Sequence, residues 1–177
     1  GCEKLKTAGP ETGEYNVKIG FSGNIPDRPF AGSRIESIVI PEKTTFIKES
    51  EYNGCFYLKE VQIPSGVKTI GKYAFRTCER MEKIEIPDSV TDIGEEAFRE
   101  CRSLKEVVGG RKLQKLGGWV FEECKNLEKI TLSSTLTEIG TGIFLGCEKL
   151  KTAGPETGEY NVKIGFSGNI PDRPFAG

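Results

Sequence analysis

The chain has no histidine and a single tryptophan. Without imidazole there can be no Ser-His-Asp triad, no Cys-His dyad and no histidine metal ligand. Neither sign of charge prevails: 25 basic residues against 26 acidic ones give a formal net charge of -1. The charges are scattered, which leaves no electrostatic footprint for DNA, RNA or an anionic membrane. Nucleic acid is therefore not an expected partner. No stretch approaches the run of about 18 apolar residues that spans a bilayer, so membrane insertion is not expected either. No leader of the basic-apolar-small type opens the chain, and no Asn-x-Ser/Thr acceptor occurs in it. The sequence reads as a soluble piece, mature or excised from something longer.

What is present is repetition, which takes precedence over any local reading. Cysteines stand at 55, 78, 101, 124 and 147, each 23 residues after the last. An aromatic precedes each by three positions (Tyr52, Phe75, Phe98, Phe121, Phe144), and Leu58, Met81, Leu104, Leu127 and Leu150 follow by three. Two further columns are Ile47, Ile70, Ile93, Leu116, Ile139 and Val61, Ile84, Val107, Ile130; Gly71, Gly94, Gly117 and Gly140 follow the first of them. A longer repetition overlies these: residues 1–32 recur unchanged as 146–177. The expected organisation is one repeat domain, 1–177, of seven coils: 2–32, 33–54, 55–77, 78–100, 101–123, 124–146 and 147–177, the two end coils being the same long one.

A unit of this size cannot bury its own apolar face, so units stack and cover one another. The fold class expected is a β-rich α/β solenoid. Leu58-Lys-Glu-Val-Gln-Ile63-Pro64 alternates apolar and polar residues and ends at proline, which predicts a short strand per coil and a parallel sheet across coils. Val67 to Gly71 predicts a second short strand or turn, with Gly71 at a positive φ. Lys72 to Thr77 predicts one helical or 3-10 turn carrying Ala74 and Phe75 inward. In the long coil, Tyr15, Val17, Ile19 and Phe21 alternate as a strand would.

The cysteines occupy one equivalent position per coil and form no C-x-x-C. That pattern reads as a buried ladder of free thiols, rungs about 5 Å apart, and not as disulfides or zinc ligands. Two columns entering the strands alternate in charge: Glu36, Lys59, Glu82, Lys105, Glu128, Lys151 and, beside it, Ser37, Glu60, Lys83, Glu106, Lys129, Thr152. Such rows would fix the stacking register. The column Ser50, Tyr73, Glu96, Trp119, Gly142 reads as open to solvent. Trp119 and Tyr73, with Arg111, Lys112 and Lys115 of the same irregular coil as Trp119, form the candidate protein-binding set, because such residue types dominate interface energetics.

The unit Leu-x-x-Val-x-Ile-Pro-x-x-Val-x-x-Ile-Gly-x-x-Ala-Phe-x-x-Cys, written here as Leu58KEVQIPSGVKTIGKYAFRTC78 and Met81EKIEIPDSVTDIGEEAFREC101, resembles the BspA-like leucine-rich repeat. The coil at 104–124 departs from it, with Val108-Gly109-Gly110 in place of Ile-Pro. The resemblance implies a curved, right-handed parallel-β solenoid from a bacterial or protozoan protein that is secreted or attached to the cell surface. It implies adhesion to a protein partner, such as a host matrix or cell-surface protein, and no catalytic residues.

Nothing in the residues themselves demands chemistry. Gly20-Phe-Ser22-Gly23-Asn24 lacks the last glycine of a nucleophile elbow, and Ser22 has no histidine to activate it. Glu95-Glu96 and Glu122-Glu123 match no calcium loop and read as solvated faces. The expectation is a non-enzymatic interaction module without cofactor or metal, the alternative being a stalk or spacer. The matching chain ends are compatible with head-to-tail self-association.

Overall fold

The computed structural model describes residues 7–8, 30–131 and 133–154. The strand expected at Tyr15 to Phe21, the Ser22 turn and nearly all of both long coils lie outside the described residues. Twelve short strands are present among them: β1 (Thr7–Ala8), β2 (Ser37–Val39), β3 (Phe46–Ile47), β4 (Glu60–Gln62), β5 (Thr69–Ile70), β6 (Lys83–Ile86), β7 (Asp92–Ile93), β8 (Glu106–Gly109), β9 (Lys115–Leu116), β10 (Lys129–Thr131), β11 (Glu138–Ile139) and β12 (Thr152–Gly154). All pair in parallel with equivalents one coil away: Ile70 lies opposite Ile93, and Ile84 opposite Val107. The result is a parallel β-solenoid.

Each coil contributes to three faces. The even strands, with β1, build the long-strand face, which is divided into the sheets β1-β2-β4 and β6-β8-β10-β12. The odd strands from β3 to β11 build one unbroken five-stranded sheet, the short-strand face. The stretch from the glycine column to the cysteine forms the third, the turn face. Proline follows the long strand of β6 as expected, Pro87 coming directly after Ile86; β8, in register with it, ends at the equivalent Gly109, with Gly110 in the proline's place.

The core is the sum of the sequence columns. Tyr52, Phe75, Phe98 and Phe121 are fully buried. With Phe30 and Phe144 they make a continuous aromatic stack, ring centroids 5.1 to 6.0 Å apart. Burying one such side chain is worth about 1.5–3 kcal/mol. Cys55, Cys78, Cys101, Cys124 and Cys147 are buried and free. Each thiol donates to the main-chain carbonyl of the aromatic residue one coil earlier, at 2.9, 3.4, 3.2, 3.2 and 3.1 Å respectively.

Two local expectations fail, for one physical reason. Lys72 to Thr77 is a run of turns and not a helical turn. Alternate amides do different work here: Ala74, Arg76 and Cys78 bond back within the coil to Gly71, Tyr73 and Phe75, while Tyr73, Phe75 and Thr77 donate to Glu95, Ala97 and Arg99 of the next coil. A helix would point all its amides one way along a single axis. The alternation needs left-handed residues, and they are Tyr73 (φ 56°) and Thr77 (φ 59°), not Gly71. Gly71 serves by its small size, because a Cβ there would lie 2.7 Å from the Glu49 amide nitrogen and 2.9 Å from the Ile47 carbonyl oxygen.

Candidate functional site

The turn face is built on two left-handed columns. Ser50, Tyr73, Glu96, Trp119 and Gly142 have φ of 53° to 61°, and Gly54, Thr77, Glu100, Glu123 and Gly146 have φ of 59° to 75°. Non-glycine residues adopt this region at a cost of roughly 1–2 kcal/mol each. The inter-coil hydrogen bonds hold them there: the amides of Ser50, Tyr73, Glu96 and Trp119 donate to Lys72, Glu95, Gly118 and Thr141 at 2.8–3.0 Å. The first column is thus defined by its main chain and not by openness to solvent. Ser50 and Glu96 are only 2 % and 9 % exposed, while Trp119 is 37 % exposed. The indole lies across Gly142 of the next coil, where an added Cβ would come within 2.7 Å of it.

Between Tyr73 and Trp119 the face carries a charge cluster that sequence reasoning missed. Arg99 pairs with Glu96 at 3.0 Å and Glu122 at 2.9 Å, and Arg76 with Glu96 at 3.3 Å and Glu100 at 3.5 Å. Arg102 joins Glu100 at 3.0 Å and Glu79 at 2.6 Å. The Arg76 guanidinium also lies 5.8 Å from the Tyr73 ring centroid. Glu96 and Glu122 are therefore engaged and largely buried, contrary to their reading as solvated faces. Burial pushes the Glu122 carboxyl above its ordinary range; Arg99 opposes this, and Glu96, Glu123 and Glu100 add to it. Burial works against the charge of Arg99, but its hydrogen bond to Glu96 and the charges of Glu122, Glu96 and Glu100 outweigh it and raise its pKa. The available signal was that Arg76, Arg99 and Glu122 share one column and that Glu100 and Glu123 stand in the column directly after it.

The other predicted residues lie elsewhere on the coil. Arg111 and Lys112 are exposed in the connection between β8 and β9, where the Arg111 amide donates to Asp88 Oδ1 at 3.1 Å. Lys115 is on the short-strand face, paired with Glu138 at 2.9 Å; that hydrogen bond and charge raise its pKa. Tyr73 and Trp119 share a column two coils apart, so the five residues occupy separate faces and not one patch.

The long-strand face carries simpler pairs of alternating charge. Lys59–Glu36 (3.1 Å), Lys105–Glu82 (2.7 Å), Lys151–Glu128 (3.7 Å) and Lys83–Glu106 (3.4 Å) pair across neighbouring coils, as the alternating columns predict. These pairs are solvent-exposed and each contributes little by itself.

Among the described residues no group of three or more His, Cys, Asp or Glu is placed to hold a metal ion, and no helix is long and apolar enough to cross a membrane. The thiols are far from nucleophilic: burial raises Cys101 and Cys147 to about 12 and Cys78 and Cys124 well above the ordinary value.

A family model described as the BspA type leucine-rich repeat region matches residues 23–151 in six copies. A leucine-rich repeat protein of T. pallidum is similar in structure, with a TM-score of 0.65 and 33 % identity over 67 % of this chain and 57 % of that one. One from Eubacterium ventriosum has a TM-score of 0.52 and 26 % identity over 69 % of this chain and 39 % of its own. The pneumococcal vaccine antigen PcpA shares the fold, with a TM-score of 0.50 and 24 % identity over 72 % of this chain and 41 % of its own. The chain thus spans well under two thirds of the length of each of these structures. No curated protein matches it.

Proposed function

Because the chain belongs to the BspA-type leucine-rich repeat family, a typically non-enzymatic family of bacterial surface proteins, we propose that it is the protein-interaction region of an extracellular or surface-displayed adhesin. The partner is a protein, of the host matrix or of another cell's surface, bound on the turn face. The observation that carries this reading is the presentation of Trp119, 37 % exposed, and Leu145, 49 % exposed, on a main chain bonded to the next coil at every second residue. A rigid scaffold with exposed large apolar groups loses little entropy on binding. In this reading the seven coils, 2–32 through 147–177, act as one domain, and the long end coils either cap it or stack head to tail.

The test is biolayer binding of the chain, immobilised under reducing conditions, to a panel of host matrix proteins, with Trp119→Ala and Lys112→Glu alongside. Saturable binding lost in Trp119→Ala and kept in Lys112→Glu supports the turn face. Loss in Lys112→Glu alone moves the site to the β8–β9 connection. Silence across the panel with all three proteins folded favours the spacer reading.

A further inference from the structure

The stacking of coils is complete on two faces and broken on the third. Between the coils that hold β4 and β6, the short-strand face is continuous: Thr69 pairs with Asp92 and Ile70 with Ile93, and the Thr91 amide reaches the Lys68 carbonyl at 2.9 Å. The turn face is continuous too, with Phe75 to Ala97 and Thr77 to Arg99 both at 2.8 Å. On the long-strand face β4 and β6 are not paired, and each is the edge of its own sheet.

Independent observations mark the same seam. The amides of Lys59, Lys105, Glu128 and Lys151 each donate to the equivalent residue one coil earlier at 2.8–3.0 Å, but no such bond runs from Glu82 to Lys59. Lys59 and Glu82, and likewise Glu60 and Lys83, are neighbours in their columns, yet among the described residues of the long-strand face no ion pair joins either couple; each lysine pairs within its own block, with Glu36 and with Glu106. Val61 and Ile63 are only half-buried, whereas Ile38, Ile40, Ile84 and Ile86 are at most 3 % exposed. A cleft of about 580 Å³ opens there, lined by Lys59, Glu60, Val61, Arg80, Lys83 and Glu85 among others. The chain's single methionine, Met81, fills the core beside it, and its unbranched side chain adapts to a changing gap better than the leucines of its column.

We propose that this seam is a hinge: residues 30–63 and 79–151 are two blocks that flex about their shared short-strand and turn faces, opening and closing the long-strand face. Closure would supply the missing Lys59–Glu82 and Glu60–Lys83 pairs, the absent amide bond and the burial of Val61 and Ile63. Opening leaves a corner latch, the Arg80 guanidinium 4.6 Å from the Tyr57 ring centroid. The movement changes curvature while leaving each block intact, so a partner touching both blocks would select one curvature. Only that consequence rests on the interaction reading, and the test below uses no partner.

Double electron–electron resonance on spin labels placed in one column tests the hinge. Glu36→Cys with Lys105→Cys spans three coils across the seam, and Glu82→Cys with Lys151→Cys spans three coils without it; each pair removes two ion pairs. Cys2→Ser is included in both, and the five buried thiols are left to their own inertness. The hinge predicts a distance distribution about twice as wide across the seam, and amide exchange at Glu82 to Glu85 at least about tenfold faster than at Lys105 to Val108. Equal widths overturn the proposal, and so does equal protection of the two segments.

Discussion

The turn face and the long-strand face solve the same stacking problem with opposite materials. On the turn face the main chain repeats rung after rung with left-handed residues in fixed places, while the side chains vary from Tyr73 through Glu96 to Trp119. On the long-strand face the side-chain charges alternate in step, Glu36 with Lys59 and Glu82 with Lys105, while the main-chain ladder stops between β4 and β6. Backbone hydrogen bonds in a fixed geometry hold coils together; exposed ion pairs choose which coils align but do not close a gap.

The largest effect expected on this contrast comes from breaking the tight side. Gly94→Ala would place a Cβ 2.6 Å from the Lys72 amide nitrogen and 2.8 Å from the Gly71 carbonyl carbon, main-chain atoms that cannot step aside. It should cost about 3 kcal/mol in chemical denaturation. Glu85→Ala, on the open face, should change stability within about 0.5 kcal/mol. A loss at Gly94 no larger than at Glu85 would contradict the view that the turn side carries the stacking.

A middle-sized effect separates the two faces by the sign of their pH dependence. Glu122 has a folded-state pKa raised from the ordinary 4.5, chiefly by burial. It therefore contributes stability below the ordinary carboxylate range, and that contribution is lost as pH rises through its folded pKa. Glu82 has a pKa lowered from 4.5, chiefly by its hydrogen bond from Lys105. Its contribution is present above the ordinary range and is lost as pH falls. Thermal melts from roughly pH 3.5 to 6.5 should show Glu122→Gln gaining on the parent as pH rises and Glu82→Gln falling behind it. Parallel curves for the two variants would remove the distinction.

The smallest effect tests the charge rows directly. Lys83→Glu places a carboxylate beside Glu106, which Lys83 now meets at 3.4 Å, and should lower Tm more than Lys83→Gln, by roughly 1–3 °C. Equal shifts from the two substitutions would mean that the rows do not set register.

The strands, the core columns and the charge rows were legible in the sequence because each depends on one residue type recurring at one position. Ile47, Ile70 and Ile93 predict the short-strand sheet, and Pro64 and Pro87 the strand ends. The left-handed columns were not legible, because Tyr73, Thr77, Glu96 and Trp119 carry no mark of positive φ; only Gly54, Gly142 and Gly146 hint at it. Glu96 and Glu122 are engaged by arginines of the preceding coil, Arg76 and Arg99, 20 and 23 residues away in sequence, so each pair of adjacent glutamates looked solvated. The seam was hidden for a different reason: the two units that fit the repeat best, starting at Leu58 and Met81, are the ones that flank it. Sequence regularity measures how alike two coils are and not how closely they are joined.

The five thiols have a practical consequence. Each is sealed in its own coil, bonded to the carbonyl below, and too weakly acidic to react while that coil stays shut. A thiol reagent therefore modifies a given cysteine only when its coil opens, and the rates at Cys55, Cys78, Cys101, Cys124 and Cys147 trace a stability profile along the axis. The molecule has a graduated scale of unfolding written into its core, one mark per turn.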